Sequence, residues 1–153
     1  MKQRWLVTAA AMVALVFLSG AVLASATEPR DVPRMNKKEL REKFGDPNVV
    51  ILDVRTDENY KKGLWKIKSA VRESPTKVNE WAAKLDKDKT YVLYCVEPAE
   101  ANSVNVAIKM MDMGFKNIYV LKGGFIEWLK RKYPVEIKED IKMPEKPVKK
   151  KTK

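Results

Sequence analysis

Cys95, the only cysteine of the chain, lies where an apolar run gives way to polar residues. The run "TYVLYC", residues 90–95, ends at this thiol, and "VEPAEANS", residues 96–103, follows it with two glutamates and small residues. In an open α/β sheet, such strand-to-helix loops gather at the carboxyl ends of the strands, where ligands bind. Amide N–H groups at the start of the following helix stabilise a thiolate, a persulfide or a bound oxyanion without a histidine. The position therefore predicts a reactive thiol, and the alternative is an inert cysteine that fills the strand end.

Several classes of site are excluded by composition. The chain has no histidine and no second cysteine, so Ser-His-Asp and Cys-His catalysis and an internal disulfide are impossible. The usual zinc ligands are missing for the same reason, and we expect neither a metal nor a cofactor. Three methionines in one helical segment are interpreted as packing residues rather than copper ligands: Met110, Met111 and Met113.

The first 26 residues have the pattern of a secretory signal peptide. A basic start is followed by an apolar stretch from Trp5 to Leu18 and by the small-x-small sequence Ala24-Ser25-Ala26. We expect cleavage after Ala26 and export of the mature protein, either to a periplasm or to another location outside the cytoplasm. The alternative is an uncleaved membrane anchor, which is the one case in which we expect membrane contact.

Much of the formal charge of +11 lies outside the predicted domain. Residues 138–153 carry seven lysines against three acidic residues, without arginine or aromatic side chains. Such a segment is typical of a disordered tail, and it does not favour a nucleic-acid partner. A lysine-rich protein that sits on membranes or nucleic acid remains a third interpretation, which predicts that deletion of the tail abolishes function.

Helix and strand patterns alternate between a linker at 27–35 and the tail. This order predicts one α/β domain over 36–137, with a mainly parallel central sheet and helices on both faces. The strand candidates are 49–55, 70–75, 90–95 and 117–121, and the helix candidates are 36–45, 56–63, 76–86, 101–113 and 125–133.

Four segments in this order resemble the rhodanese-like sulfurtransferase domain: "VVILDVRTDENYKKG", "IKSAVRESP", "TYVLYC" and "GFKNIYVLKGGFIEWLKRKYPVE". The Asp53-x-Arg55 pair and the ending Leu121-x-Gly123-Gly124-x-x-x-Trp128 are jointly specific. The resemblance covers about 36–136 and implies a persulfide carrier. Cys95 would take sulfur from a small donor (a polysulfide, a persulfide or thiosulfate) and pass it to a thiol or cyanide-like acceptor.

The resemblance also implies a substrate-binding loop after the cysteine. The commonest rhodanese loop reads Cys-x-x-Gly-x-Arg-Ser, whereas this one is similar to a less common variety with Cys-x-x-Pro-x-Glu-Ala-x-Ser. Without the arginine that holds phosphate in related dual-specificity phosphatases, phosphatase activity is not expected. The loop residues are Val96, Glu97, Pro98, Ala99, Glu100, Ala101, Asn102 and Ser103.

The two glutamates of the loop predict which donors are accepted. Carboxylates near a thiolate disfavour its charge and repel an anionic donor, so we expect weak turnover of thiosulfate. The alternative for Glu100 is a place in the first helical turn, favourable to the helix dipole, with its side chain in water.

Other residues receive supporting roles. The resemblance places Arg72 and Lys122 on loops that border the cysteine, as compensating cations, and we interpret Asp53 and Arg55 as a pair that holds the loops together. A non-catalytic binding module that docks a partner protein through the Cys95 loop is the alternative function. The tryptophans interpreted as core or pocket-wall residues are Trp65, Trp81 and Trp128.

Overall fold

The computed structural model describes residues 31–96 and 99–140. The strands are β1 (Arg34–Met35), β2 (Val49–Asp53), β3 (Trp65–Ile67), β4 (Val71–Arg72), β5 (Thr90–Tyr94), β6 (Ile118–Leu121) and β7 (Val135–Ile137). The helices are α1 (Lys37–Glu42), α2 (Asp57–Lys62), α3 (Val78–Ala82), α4 (Ala101–Asp112) and α5 (Gly124–Lys130).

Five strands form the central sheet, in the order β1-β6-β5-β2-β4. All four neighbouring pairs are parallel, and β3 pairs with β7 in a separate antiparallel ribbon. The predicted α/β fold with a mainly parallel sheet is therefore confirmed. Because β2 and β5 are parallel, their carboxyl ends lie at the same end of the sheet, where the loops after Asp53 and Tyr94 begin.

Successive side chains of a strand point to opposite sides of the sheet, and both faces of this sheet are apolar. Helices therefore cover both faces. On β5, Leu93 packs with α3 and α4, whereas Val92 and Tyr94 pack with α1 and α5. The first face holds Val78, Trp81, Ala82, Val106, Ala107 and Met110, and the second holds Leu40, Ile67, Phe125 and Trp128.

Helix boundaries follow the predicted caps. The Asn36 side chain accepts a hydrogen bond from the Glu39 amide at 2.9 Å, and the Thr56 hydroxyl accepts one from the Asn59 amide at 3.2 Å. These bonds satisfy amides that have no partner inside a helix, and they fix the starts of α1 and α2. Helix α3 is shorter than predicted and ends at Ala82.

The segment predicted as a linker, residues 27–35, ends in a strand. Val32 and Met35 are buried in the two opposite cores, which anchors β1 at the edge of the sheet. Hydrogen bonds from the Val120 and Lys122 amides to the Pro33 and Met35 carbonyls complete the pairing. The linker prediction was therefore wrong for the described residues from 31 onward.

The fold also reaches beyond the predicted end of the domain. Lys138, assigned to the disordered tail, is buried, with its Nζ 2.5 Å from the Tyr60 carbonyl and 4.2 Å from the centre of the Tyr60 ring. The alkyl stem thus packs while the ammonium finds an acceptor. The segment predicted as a signal peptide, residues 1–26, and residues 141–153 lie outside the described residues. Within the described ranges no helix is long and apolar enough to span a bilayer.

Candidate active site

Cys95 is the first residue after β5, and it is buried. Only 1% of it is exposed. Its carbonyl accepts a hydrogen bond from the Phe125 amide at 2.9 Å, which ties the strand end to the first turn of α5. The Ser103 hydroxyl oxygen lies 3.5 Å from the sulfur and 2.8 Å from the Glu100 carbonyl oxygen. The single hydroxyl proton of Ser103 can point to the Glu100 carbonyl, which leaves the oxygen to accept from a thiol, or it can turn to the sulfur and stabilise a thiolate.

The described residues on either side of positions 97 and 98 belong to the segment between Cys95 and α4. Val96 is half-buried, and its carbonyl accepts a hydrogen bond from the Ile126 amide at 3.4 Å. Ala99 is exposed, and Ala101, Asn102 and Ser103 form the first turn of α4. The predicted loop residues Glu97 and Pro98 lie outside the described residues.

Glu100 takes a position that neither interpretation of the sequence foresaw. It is 6% exposed, and its backbone is left-handed at φ +60°. One carboxylate oxygen accepts the Gly123 amide at 2.6 Å, and the other lies 3.0 Å from Nε of Arg34. The proposed placement in water was wrong, because the carboxylate is buried between β1 and the start of α5. Its charge is also offset by Arg34, so it is not directed at a donor.

Asp53 and Arg55 form a buried pair beside the strand end. Nε of Arg55 donates to both Asp53 oxygens at 2.8 and 3.0 Å, and an Nη2 group donates to Asp53 and to the Trp65 carbonyl. The Arg55 guanidinium lies 4.7 Å from the centre of the Phe125 ring. The pair thus connects β2, β3 and α5 around the loop.

Tyr94, which precedes the cysteine, completes this network. Its hydroxyl donates to Asp53 at 2.7 Å and accepts from the Ile67 amide at 3.2 Å. Burial raises the pKa of Tyr94 well above its usual value, and the Asp53 charge raises it further. Burial alone would lower the pKa of Arg55, but the hydrogen bond and charge of Asp53 raise it above its usual value. The neutral phenol and the ion pair are thus the stable forms.

Of the two predicted compensating cations, Arg72 binds other groups and Lys122 is exposed. Arg72 binds the Asp57 carboxylate at 2.6 Å and the Asp53 carbonyl at 2.9 Å, and it lies over the Tyr60 ring. Lys122 is exposed at the turn before Gly123, and its carbonyl accepts from Nζ of Lys37 at 2.9 Å. The contacts of Arg72 brace the β2–α2 loop. Lys122 precedes Gly123, whose amide binds the Glu100 carboxylate, so Lys122 lies next to the site in the chain.

Sequence reasoning missed two residues of this site, Arg34 and Tyr94. Arg34 lies 66 positions from Glu100, and no local pattern reports such a pairing. Tyr94 carried a weak signal, since a buried tyrosine beside a polar strand end needs a partner for its hydroxyl. Trp81 and Trp128 are buried as predicted, but Trp65 is 43% exposed and does not belong to the core.

The arrangement favours chemistry at sulfur over other classes. Among the described residues, no three acidic or cysteine side chains converge as metal ligands. A single thiol lies at the carboxyl end of a central strand, next to a hydroxyl and held by amides of α5. Such a thiol can attack an electrophilic sulfur and carry it as a persulfide.

Comparison with known proteins gives the same assignment. The rhodanese-like domain matches residues 36–131. The thiosulfate sulfurtransferase GlpE of Coxiella burnetii is 36% identical over 81 residues, which cover 53% of this chain and 72% of GlpE. The tRNA uridine(34) hydroxylase of Anaplasma phagocytophilum is 31% identical over 88 residues, which cover 54% of this chain and 31% of that protein.

A solved structure supports the assignment at the level of the fold. The crystal structure of the BH2092 protein from Bacillus halodurans superposes with a TM-score of 0.61 at 29% sequence identity, covering 68% of this chain and 76% of that one. Together with the sequence matches, this likeness identifies the family. The chain belongs to the rhodanese-like domain family.

Proposed function

We propose that this protein is an exported sulfurtransferase or sulfur carrier that forms a persulfide on Cys95. The observation that carries the proposal is the Ser103 hydroxyl, 3.5 Å from the Cys95 sulfur in a loop held by α5. A thiolate or persulfide on Cys95 is stabilised when the Ser103 hydroxyl turns its proton from the Glu100 carbonyl to the sulfur. Membership of the family and the name of the relative GlpE support the same reaction class.

The reaction has two balanced steps. The Cys95 thiolate attacks the terminal sulfur of a donor R–S–S⁻, the donor S–S bond breaks with its electron pair, and R–S⁻ leaves. An acceptor thiolate or cyanide then attacks the outer sulfur of the persulfide, and the Cys95 thiolate is restored as the leaving group. Neither step needs an oxidant, a metal or a cofactor.

The loop favours donors of low charge. It contains no arginine to hold a dianion, and Glu97 adds a negative charge to the sequence beside the thiol. Glu100 is bound to Arg34 and Gly123, so we assign the repulsion to Glu97 alone. We expect weak thiosulfate turnover that rises in Glu97→Gln but not in Glu100→Gln, and better use of polysulfides or small persulfides.

Intact mass spectrometry after exposure to polysulfide tests the proposal. The wild-type protein should gain one sulfur atom, Cys95→Ser should gain none, and Ser103→Ala should gain it more slowly. If no donor (polysulfide, glutathione persulfide or thiosulfate) adds sulfur to Cys95, the proposed activity is wrong.

The burial of Cys95 favours the second candidate, a binding module that docks a partner protein through this loop. A reactive thiol should react with iodoacetamide at neutral pH faster than the same thiol in the urea-unfolded chain. Slower labelling of the folded protein, together with no persulfide, would support the binding module.

Export is tested by N-terminal sequencing of the protein isolated from its natural host. We expect the mature chain to start at Thr27, in accord with the small-x-small sequence before it. A start at Met1 would favour the uncleaved anchor.

A further inference from the structure

Glu100 has a left-handed backbone conformation, which a residue with a side chain rarely adopts. It is one of three non-glycine residues with a positive φ among the described residues, and of these three it is the buried one. A residue with a Cβ remains in the left-handed region only where its surroundings hold it there. The contacts of Glu100 are therefore the reason for its conformation.

The carboxylate of Glu100 holds the helix that holds Cys95. It accepts the Gly123 amide at 2.6 Å, directly before α5 begins. Two amides in the first turn of α5, those of Phe125 and Ile126, donate to the carbonyls of Cys95 and Val96 at 2.9 and 3.4 Å. One carboxylate oxygen of Glu100 thus holds the start of α5, and the start of α5 in turn holds the backbone of Cys95.

The carbonyl of the same residue holds the Ser103 side chain beside the sulfur. It accepts from Oγ of Ser103 at 2.8 Å, and that oxygen lies 3.5 Å from Sγ of Cys95. Because this carbonyl is set by the left-handed backbone, a change in the Glu100 conformation moves the hydroxyl as well. Glu100 therefore reaches the thiol from two sides without touching it.

We infer that Glu100 is a positioning residue for Cys95: its carboxylate fixes α5 and its carbonyl fixes Ser103. This role deepens the proposed function and rests on it for the sulfur-transfer readout. Arg34 offsets the charge and is partly exposed, so the hydrogen bond accepted from Gly123 is the essential contact. An uncharged acceptor of the same shape should preserve it.

Glu100→Gly is the informative variant. Glycine adopts a φ of +60° without strain, so this change removes the carboxylate without forcing the backbone. Lys132→Gly is the matched control, since Lys132 is an exposed residue with a φ of +55° outside the loop. Glu100→Gln keeps the acceptor for Gly123, while Arg34 can turn to water.

Two measurements separate positioning from stability. The first is kcat and KM for sulfur transfer from polysulfide, and the second is the rate of iodoacetamide labelling of Cys95 at neutral pH. In Glu100→Gly we expect kcat to fall about tenfold, the equivalent of one lost hydrogen bond, with KM little changed. The labelling rate should change as well, because the segments that hold the thiol are released. Glu100→Gln and Lys132→Gly should resemble the wild type in both measurements.

Wild-type kcat and an unchanged labelling rate in a folded Glu100→Gly protein would overturn the inference. So would an equal loss in Glu100→Gln, because the acceptor is retained there. If Glu100→Gly does not fold, Glu100→Gln and Ser103→Ala decide: loss in Ser103→Ala with retention in Glu100→Gln supports the inference, and any other pattern contradicts it. If the wild type forms no persulfide, the proposed function fails, yet the labelling rate still tests Glu100, since it needs no sulfur donor.

Discussion

Each of the two buried carboxylates of the described residues is matched by an arginine. Asp53 is bound by Arg55, and Glu100 is bound by Arg34. An isolated charge inside a protein is costly, so a buried acid persists only with a partner and further hydrogen bonds. Both pairs lie at the end of the sheet at which β5 leads to Cys95, and each links this end to another part of the fold.

The first prediction concerns the Asp53 pair. Asp53→Ala should lower the free energy of unfolding by about 3–5 kcal/mol, because it leaves a buried guanidinium without its counter-ion and Tyr94 without its acceptor. Urea denaturation measures the change. Asp57→Ala is the control: its carboxylate binds Arg72 but is 67% exposed, and we expect a loss of about 0–1 kcal/mol. Equal losses would mean that Asp53 does not carry the pairing energy.

The second prediction concerns the pH dependence of Tyr94. The pKa of Tyr94 is raised in the folded protein, so its contribution to stability is fully present below the unfolded pKa of about 10 and is lost as pH rises beyond it. Tyr94→Phe removes the ionisable group and the hydrogen bond to Asp53. The destabilisation by Tyr94→Phe should therefore shrink as the pH rises from about 10 to about 11.

Urea denaturation of both proteins across this range measures the difference. The other ionisable groups titrate alike in the two proteins, so their contributions cancel in the difference between the two free energies of unfolding. A difference that stays constant would show that the phenol ionises equally in the folded and unfolded states.

At the scale of elements, the turn before α5 supports the third prediction. Gly123 has a φ of +81°, and a Cβ there would lie 2.7 and 2.9 Å from the Glu127 side chain. Gly45 has a φ of +87° with open space around it. Gly45→Ala should cost about 1–2 kcal/mol for the left-handed backbone. Gly123→Ala should cost about 1–3 kcal/mol more for the clash. Equal denaturation midpoints would show that the Glu127 side chain yields without cost.

The elements that sequence predicted are those with local signals. Asn36 and Thr56 cap their helices through their own side chains, and the β-branched run from Val49 forms a central strand. Strands β1, β3 and β7 have two or three residues each, which is too short to show an alternation of apolar and polar side chains. Their formation depends on partners far along the chain, so local patterns could not predict them.

The candidate site divides in the same way. The place of Cys95 after β5 followed from one apolar run and the polar loop behind it. The burial of Glu100 did not, because the Arg34 and Gly123 partners come from two other parts of the chain. A single sequence shows the charge of a glutamate but not the groups that fold against it.

At the scale of the whole molecule, the fourth prediction separates the tail from the fold. Deletion of 141–153 should leave the denaturation midpoint and persulfide formation unchanged. Deletion of 138–153 also removes the buried Lys138, with its hydrogen bond to the Tyr60 carbonyl, and should cost about 1–2 kcal/mol.

The pair of deletions also tests the lysine-rich interpretation. That interpretation requires activity to vanish in the shorter deletion while the fold stays intact. Persulfide formation equal to that of the wild type would refute it.

The parallel pairing of β1 with β6 places the entry of the chain close to the candidate site. The two residues of β1 pair with Val120 and Leu121 at the carboxyl end of β6, and Arg34 of β1 binds Glu100 of the Cys95 loop. A surface tether attached before Asp31 would therefore join the fold at the strand whose arginine holds this loop. The tether and the cysteine would be neighbours, and force or crowding at the tether would act on the loop through Arg34.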